Sequence, residues 1–83
     1  MVTTATQLDL SSLRESKGIS LDEIIKTTKI SQRFLVAIEN EDFDKLPGGV
    51  FNTSYLRQYA ACIGYEPKRL LDYYFSRVER SAA

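Results

Sequence analysis

An all-α, compact five-helix domain is what this sequence predicts, on three observations. Apolar residues recur at three- and four-residue spacing in five stretches, and no stretch alternates as a strand would. The two prolines and four glycines fall between those stretches. At 43% apolar and 27% charged, the composition suits a folded soluble chain rather than a disordered one. Eighty-three residues sustain one small core. The domain is read over residues 9–79, between a leader at 1–8 and a polar tail at 80–83.

The first helix is expected over residues 9–17, burying Leu10 and Leu13 and stopping at Gly18, which suits a left-handed C-terminal cap. Ser20 and Glu23 form a capping box that starts the second helix, with Leu21, Ile24 and Ile25 inward. After a short turn at Lys29-Ile30, Ser31 caps the third helix, where Phe34, Leu35 and Ile38 have apolar spacing. Pro47-Gly48-Gly49 lacks the lysine and hydroxyl of a phosphate loop and reads as a plain turn. The fourth helix is expected from about Asn52 to Ile63, with Phe51, Tyr55, Tyr59 and Ile63 recurring every four residues. Pro67 takes the favoured first position of the fifth helix, whose buried stripe is Leu70, Leu71, Tyr74, Phe75 and Val78.

Several function classes are excluded by what the chain lacks. There is no histidine, which removes Cys/His zinc sites and histidine-based triads, and no metal or cofactor is expected. The lone Cys62 cannot form an internal disulfide and reads as a buried structural thiol. No nucleophile stands beside a base, and the acids are assigned to solvated helix faces or caps, so the chain is not read as an enzyme and no small-molecule substrate is expected. No apolar run approaches the roughly 18 residues of a membrane span, and no signal peptide opens the chain. The expected location is the cytoplasm, with tethering to the inner membrane if the chain is part of a longer one. Asn52-Thr53-Ser54 is a glycosylation sequon without a secretory context. Eleven basic and eleven acidic groups balance, so no global field points to nucleic acid.

The informative stretch is residues 19–39, two short helices joined by a tight turn. The second helix starts at a serine and presents its N-terminus outward while the first braces it, which makes a helix-turn-helix. Ile19-Ser20-Leu21-Asp22-Glu23-Ile24-Ile25, Thr28-Lys29-Ile30-Ser31-Gln32-Arg33-Phe34-Leu35 and Ala37-Ile38-Glu39-Asn40 resemble the Cro/repressor-like (Xre) helix-turn-helix. More closely, Leu13-Arg14-Glu15, Thr28-Lys29-Ile30-Ser31, Asp42-Phe43-Asp44-Lys45-Leu46-Pro47, Phe51-Asn52 and Tyr55-Leu56-Arg57-Gln58-Tyr59-Ala60 resemble RodZ-type cytoplasmic domains of bacterial cell-shape proteins. The resemblance covers residues 9–75.

Two activities are implied. By the Xre resemblance, residues 31–40 form a recognition helix for the major groove of DNA in a transcriptional regulator. Gln32, Arg33 and Phe34 begin it, and Val36 and Ala37 continue its outer face; Gln pairs with adenine and Arg with guanine. Thr27, Thr28, Lys29, Ser31 and Asn40 are the phosphate candidates, and a homodimer would engage two half-sites. By the RodZ resemblance, the domain docks an MreB-like actin-type filament protein through aromatic residues of the fourth helix, which match Phe51 and Tyr55. Core packing is the structural alternative for both.

The chain departs from these patterns. Leu21 stands where repressor-like domains commonly carry a polar residue, Lys29 and Glu41 where they commonly carry glycine, and Thr53-Ser54 where RodZ relatives often carry Arg-Gly. DNA ranks first as partner on the intact helix-turn-helix, with Lys17, Lys26 and Lys29 near Arg33. Overall neutrality and the acids Glu39, Glu41 and Asp42 oppose it. Docking ranks second. Phe51 and Tyr55 are expected to expose an apolar patch beside the helix-turn-helix.

Overall fold

The computed structural model describes residues 8–82, with side chains through Val78. Five helices follow in order: α1 Leu10–Ser16, α2 Leu21–Thr28, α3 Gln32–Glu39, α4 Val50–Ile63 and α5 Pro67–Ala82. A single 3-10 turn, Phe43–Lys45, joins α3 to α4, and no strand occurs among the described residues. The expected leader falls outside the described residues except for Leu8, which packs against the core. At the other end α5 continues through Ala82.

Several helix ends obey the local chemistry read from the sequence. Ser20 accepts from the Glu23 amide at 3.1 Å, and the Glu23 side chain accepts from the Ser20 amide at 3.2 Å, completing the capping box of α2. At the end of α1, Gly18 sits at φ 69° while the Ile19 and Gly18 amides donate to Arg14 and Glu15 carbonyls, a Schellman closure. The same closure ends α4 at Gly64, where Tyr65 and Gly64 donate to Ala60 and Ala61. It also ends α3, but with Glu41 in the left-handed position at φ 61°: Asp42 and Glu41 donate to Ala37 and Ile38. Lys29 is left-handed too, at φ 64°, closing α2 through one bond to Ile25. Both departures from glycine therefore fall where the backbone favours glycine. Ser31 occupies the N-cap of α3, but its side chain makes no capping bond, contrary to expectation.

The core is continuous. Leu10, Ile24, Leu35, Ile38, Leu56, Tyr59, Ile63 and Leu70 are each almost completely removed from solvent. Helix α4 packs along α5 and against α2, while α3 lies between α2 and the 3-10 turn. Burial of each large side chain at this level contributes about 1.5–3 kcal/mol.

Other placements differ from the sequence reading. Phe75 and Val78 are exposed, not buried. Phe75 lies to the side of the Leu70–Tyr74 face; Val78 points that way but lines an open groove beside Phe43, Leu46 and Tyr74, which leaves 37% of it exposed. Cys62 is half-buried, with its thiol pKa raised by desolvation. Asn52, expected at the start of the helix, is buried inside the first turn of α4, accepting from the Gly48 amide at 2.7 Å and donating to the Tyr74 hydroxyl at 2.9 Å.

Candidate functional site

Helix α3 presents a narrow outer face. Gln32, Arg33, Val36 and Asn40 are exposed along it, and Thr27, Lys29 and Ser31 are exposed before it. Two of the candidate contacts are placed otherwise. Ala37 is buried, because α3 is enclosed by α2 and the 3-10 turn, and its methyl cannot reach a base edge. The Thr28 hydroxyl donates to Ile24 O at 2.8 Å and accepts from the Ile30 amide at 3.1 Å. Its one proton is committed within the turn, leaving none for a phosphate.

Phe34 joins α3 to α4. Its ring centroid lies 5.7 Å from that of Tyr55, which lies 6.0 Å from that of Phe51. The Arg33 guanidinium stacks over Phe34 at 4.7 Å, within cation–π range. Along the four-residue stripe, burial rises steadily: Phe51 is 56% exposed, Tyr55 half-buried, Tyr59 and Ile63 fully buried. The stripe is therefore core at its end and surface at its start. Val50, one residue before Phe51, is 79% exposed.

Val50 was missed in the sequence, although a signal was there. Adjacent residues on a helix point about 100° apart, so a single core seldom takes both Val50 and Phe51 at a helix entrance.

The acids near this surface are engaged internally, which corrects their assignment to solvated positions. Glu39 Oε2 accepts from Arg14 Nε at 2.6 Å and from the Tyr59 hydroxyl at 2.6 Å. Arg14 also donates to Ile19 O at 2.9 Å. Burial, then the Glu39 carboxylate, pushes the Tyr59 hydroxyl pKa far up, and the hydrogen bond to Glu39 raises that of Arg14. Glu41 accepts from the Leu8 amide at 3.0 Å, the Tyr73 hydroxyl at 2.5 Å and Arg77 Nη1 at 2.6 Å. Glu39 and Glu41 thus present little free negative charge beside α3.

No group of histidine, cysteine or carboxylate residues among the described residues could hold a metal ion. No described helix is long and apolar enough to cross a membrane.

Comparison with known proteins agrees with this geometry. Residues 9–70 match a family model described as a helix-turn-helix domain. The cytoskeleton protein RodZ of Streptococcus pneumoniae is 40% identical over 63 residues, covering 76% of this chain and 23% of that protein. The uncharacterized membrane protein YmfM of Bacillus subtilis is 33% identical over 54 residues, covering 65% of this chain and 19% of its own. The chain thus spans under a quarter of the length of either relative. No solved structure matches it. With three quarters of its length matched and the two-helix unit in place, the chain belongs to this helix-turn-helix domain family, as a domain of the RodZ type.

Proposed function

We propose that the domain is a non-enzymatic docking module that binds an actin-like filament protein of the MreB type through the entrance of α4. The observation that carries this reading is the exposure of Phe51 and Val50, continuous through Tyr55 with Phe34 on α3. Large apolar side chains grouped on a surface mark interaction sites, and aromatic residues beside an arginine are the usual anchors of protein interfaces. The similarity to a cytoskeleton protein supports the same reading. The Bacillus relative is named as a membrane protein, which supports a cytoplasmic domain belonging to a longer, membrane-tethered chain. The test is the Phe51→Ala/Tyr55→Ala double variant, melted thermally and co-sedimented with purified MreB filaments. Retained fold with lost sedimentation is the expected result; unchanged sedimentation counts against the reading.

A second reading is DNA binding by α3, in a transcriptional regulator acting as a homodimer. It is favoured by Gln32 and Arg33 standing exposed at the start of α3, with the far-end acid Glu39 already neutralised by Arg14. Lys29 and Ser31 are then the phosphate contacts and Asn40 the outermost one. In that case Arg33→Ala weakens specific binding by about 1–3 kcal/mol and relaxes preference at one base pair, measured by fluorescence titration at fixed salt. Equal affinity of the two proteins removes Arg33 from the base-reading set.

A further inference from the structure

We infer that the docking partner presents acidic groups on both sides of an apolar hollow, and that Arg33 and Arg57 are the residues that meet them. This rests on the docking role of α4 proposed above and adds the chemistry of the partner.

The charge pattern carries the inference. Helices α3 and α4 together contain three charged residues, Arg33, Glu39 and Arg57. Glu39 is turned inward, its side chain 8% exposed and bound to Arg14 and Tyr59. The outer face of the two helices therefore carries two cations and no free acid. Arg33 and Arg57 are both exposed, and neither forms an ion pair among the described residues, whereas Arg14 and Arg77 each hold a carboxylate at 2.6 Å. The acids Asp42 and Asp44 line a groove on the other side of α4, with Asn52 and Tyr74.

The two arginines flank the apolar patch. At about 100° and 1.5 Å per residue, Arg57 lies within about 20° of Val50 and about 120° from Phe51 around α4, about 10 Å further along it than Val50. Phe51 and Tyr55 turn toward α3, where Arg33 is held over Phe34. Along this surface the order is Arg33 on the α3 side, then Phe51 and Val50, with Arg57 about two turns further along α4 on the Val50 stripe. A duplex would be met by a row of cations tracking its phosphates, not by two cations separated by exposed valine and phenylalanine. An acidic protein surface with an apolar centre fits this order. Guanidinium groups suit it further, because they take a carboxylate by two parallel hydrogen bonds.

The experiment is co-sedimentation with purified MreB filaments at increasing sodium chloride, using wild type, Arg33→Glu, Arg57→Glu, Arg33→Lys and Phe51→Ala/Tyr55→Ala. Each charge reversal is expected to weaken binding at low salt by about threefold to tenfold and to flatten its salt dependence, with Arg33→Lys closer to wild type. Arg57 is exposed and its reversal should melt at the wild-type value, whereas Arg33 also stacks over Phe34 and its reversal should melt slightly lower; a reversal that lowers the melt markedly is replaced by the corresponding glutamine. Reversals that bind like wild type, while the double alanine variant fails, overturn the acidic partner and leave the docking site standing. A double alanine variant that still binds defeats the docking site itself. Arginine-dependent binding to duplex DNA with no filament binding overturns both.

Discussion

The Arg14 guanidinium of α1 meets the Glu39 carboxylate of α3 at 2.6 Å, with side chains only 11% and 8% exposed. The Tyr59 hydroxyl from α4 closes on the same carboxylate oxygen, so one acid ties three helices together. Removing one partner strands the others away from water. Glu39→Ala should cost about 3 kcal/mol in urea unfolding, and Tyr59→Phe about 1–2 kcal/mol. A Glu39→Ala variant as stable as wild type would show that the pair does not tie the helices.

The same site contributes to the alkaline limit. Burial and the Glu39 carboxylate raise the Tyr59 hydroxyl above its unfolded value of about 10. Below that value both folded and unfolded states hold the proton, and the contribution of the group is fully present. As pH rises through about 10, the unfolded chain ionises first and stability falls. Stability against pH should therefore decline above about pH 10 in the wild type and less steeply in Tyr59→Phe. Parallel curves would exclude Tyr59 as the titrating group.

Lys29 and Glu41 share left-handed backbone but differ in what their side chains do. Lys29 is exposed at its position, and Lys29→Gly should stabilise by about 0.5–1 kcal/mol by relieving the backbone. Glu41 holds Leu8, Tyr73 and Arg77, so Glu41→Gly should destabilise by about 2–3 kcal/mol despite suiting the turn. Thermal melts of the two variants moving in the same direction would contradict this account.

Much of this was legible in the sequence because it is local. The Ser20 capping box, the Gly18 and Gly64 closures and the five apolar periods depend on residues a few positions apart. Long-range pairings were not legible: Arg14 and Glu39 are 25 residues apart, and Glu41 and Arg77 are 36. Periodicity also fixes direction but not how far the core extends. It therefore gave Val78 a buried side chain where 37% of it remains exposed, while the resemblance to repressor-like domains put Ala37 outside, where α2 and the 3-10 turn enclose it. Of the two candidate surfaces, the start of α3 followed from local signals and the assignment of Gln32 and Arg33 from the resemblance, while the union of Phe34 with Tyr55 required tertiary contact.

Single substitutions should separate surface from core along α4. Phe51→Ala should cost under about 1 kcal/mol, since more than half of its surface already faces water. Leu56→Ala, fully buried one turn further on, should cost about 2–5 kcal/mol. Chemical denaturation of both measures the difference, and equal costs would make Phe51 a core residue.

Whether α4 meets a protein partner through its entrance is decided by amide NMR titration with assembly-blocked MreB monomer. Shifts or broadening are expected at Val50, Phe51, Ser54 and Tyr55, extending to Arg33 and Phe34, with little change along α5. Perturbation confined to Thr27, Lys29, Gln32 and Val36, appearing with duplex DNA and absent with the monomer, would contradict docking through α4.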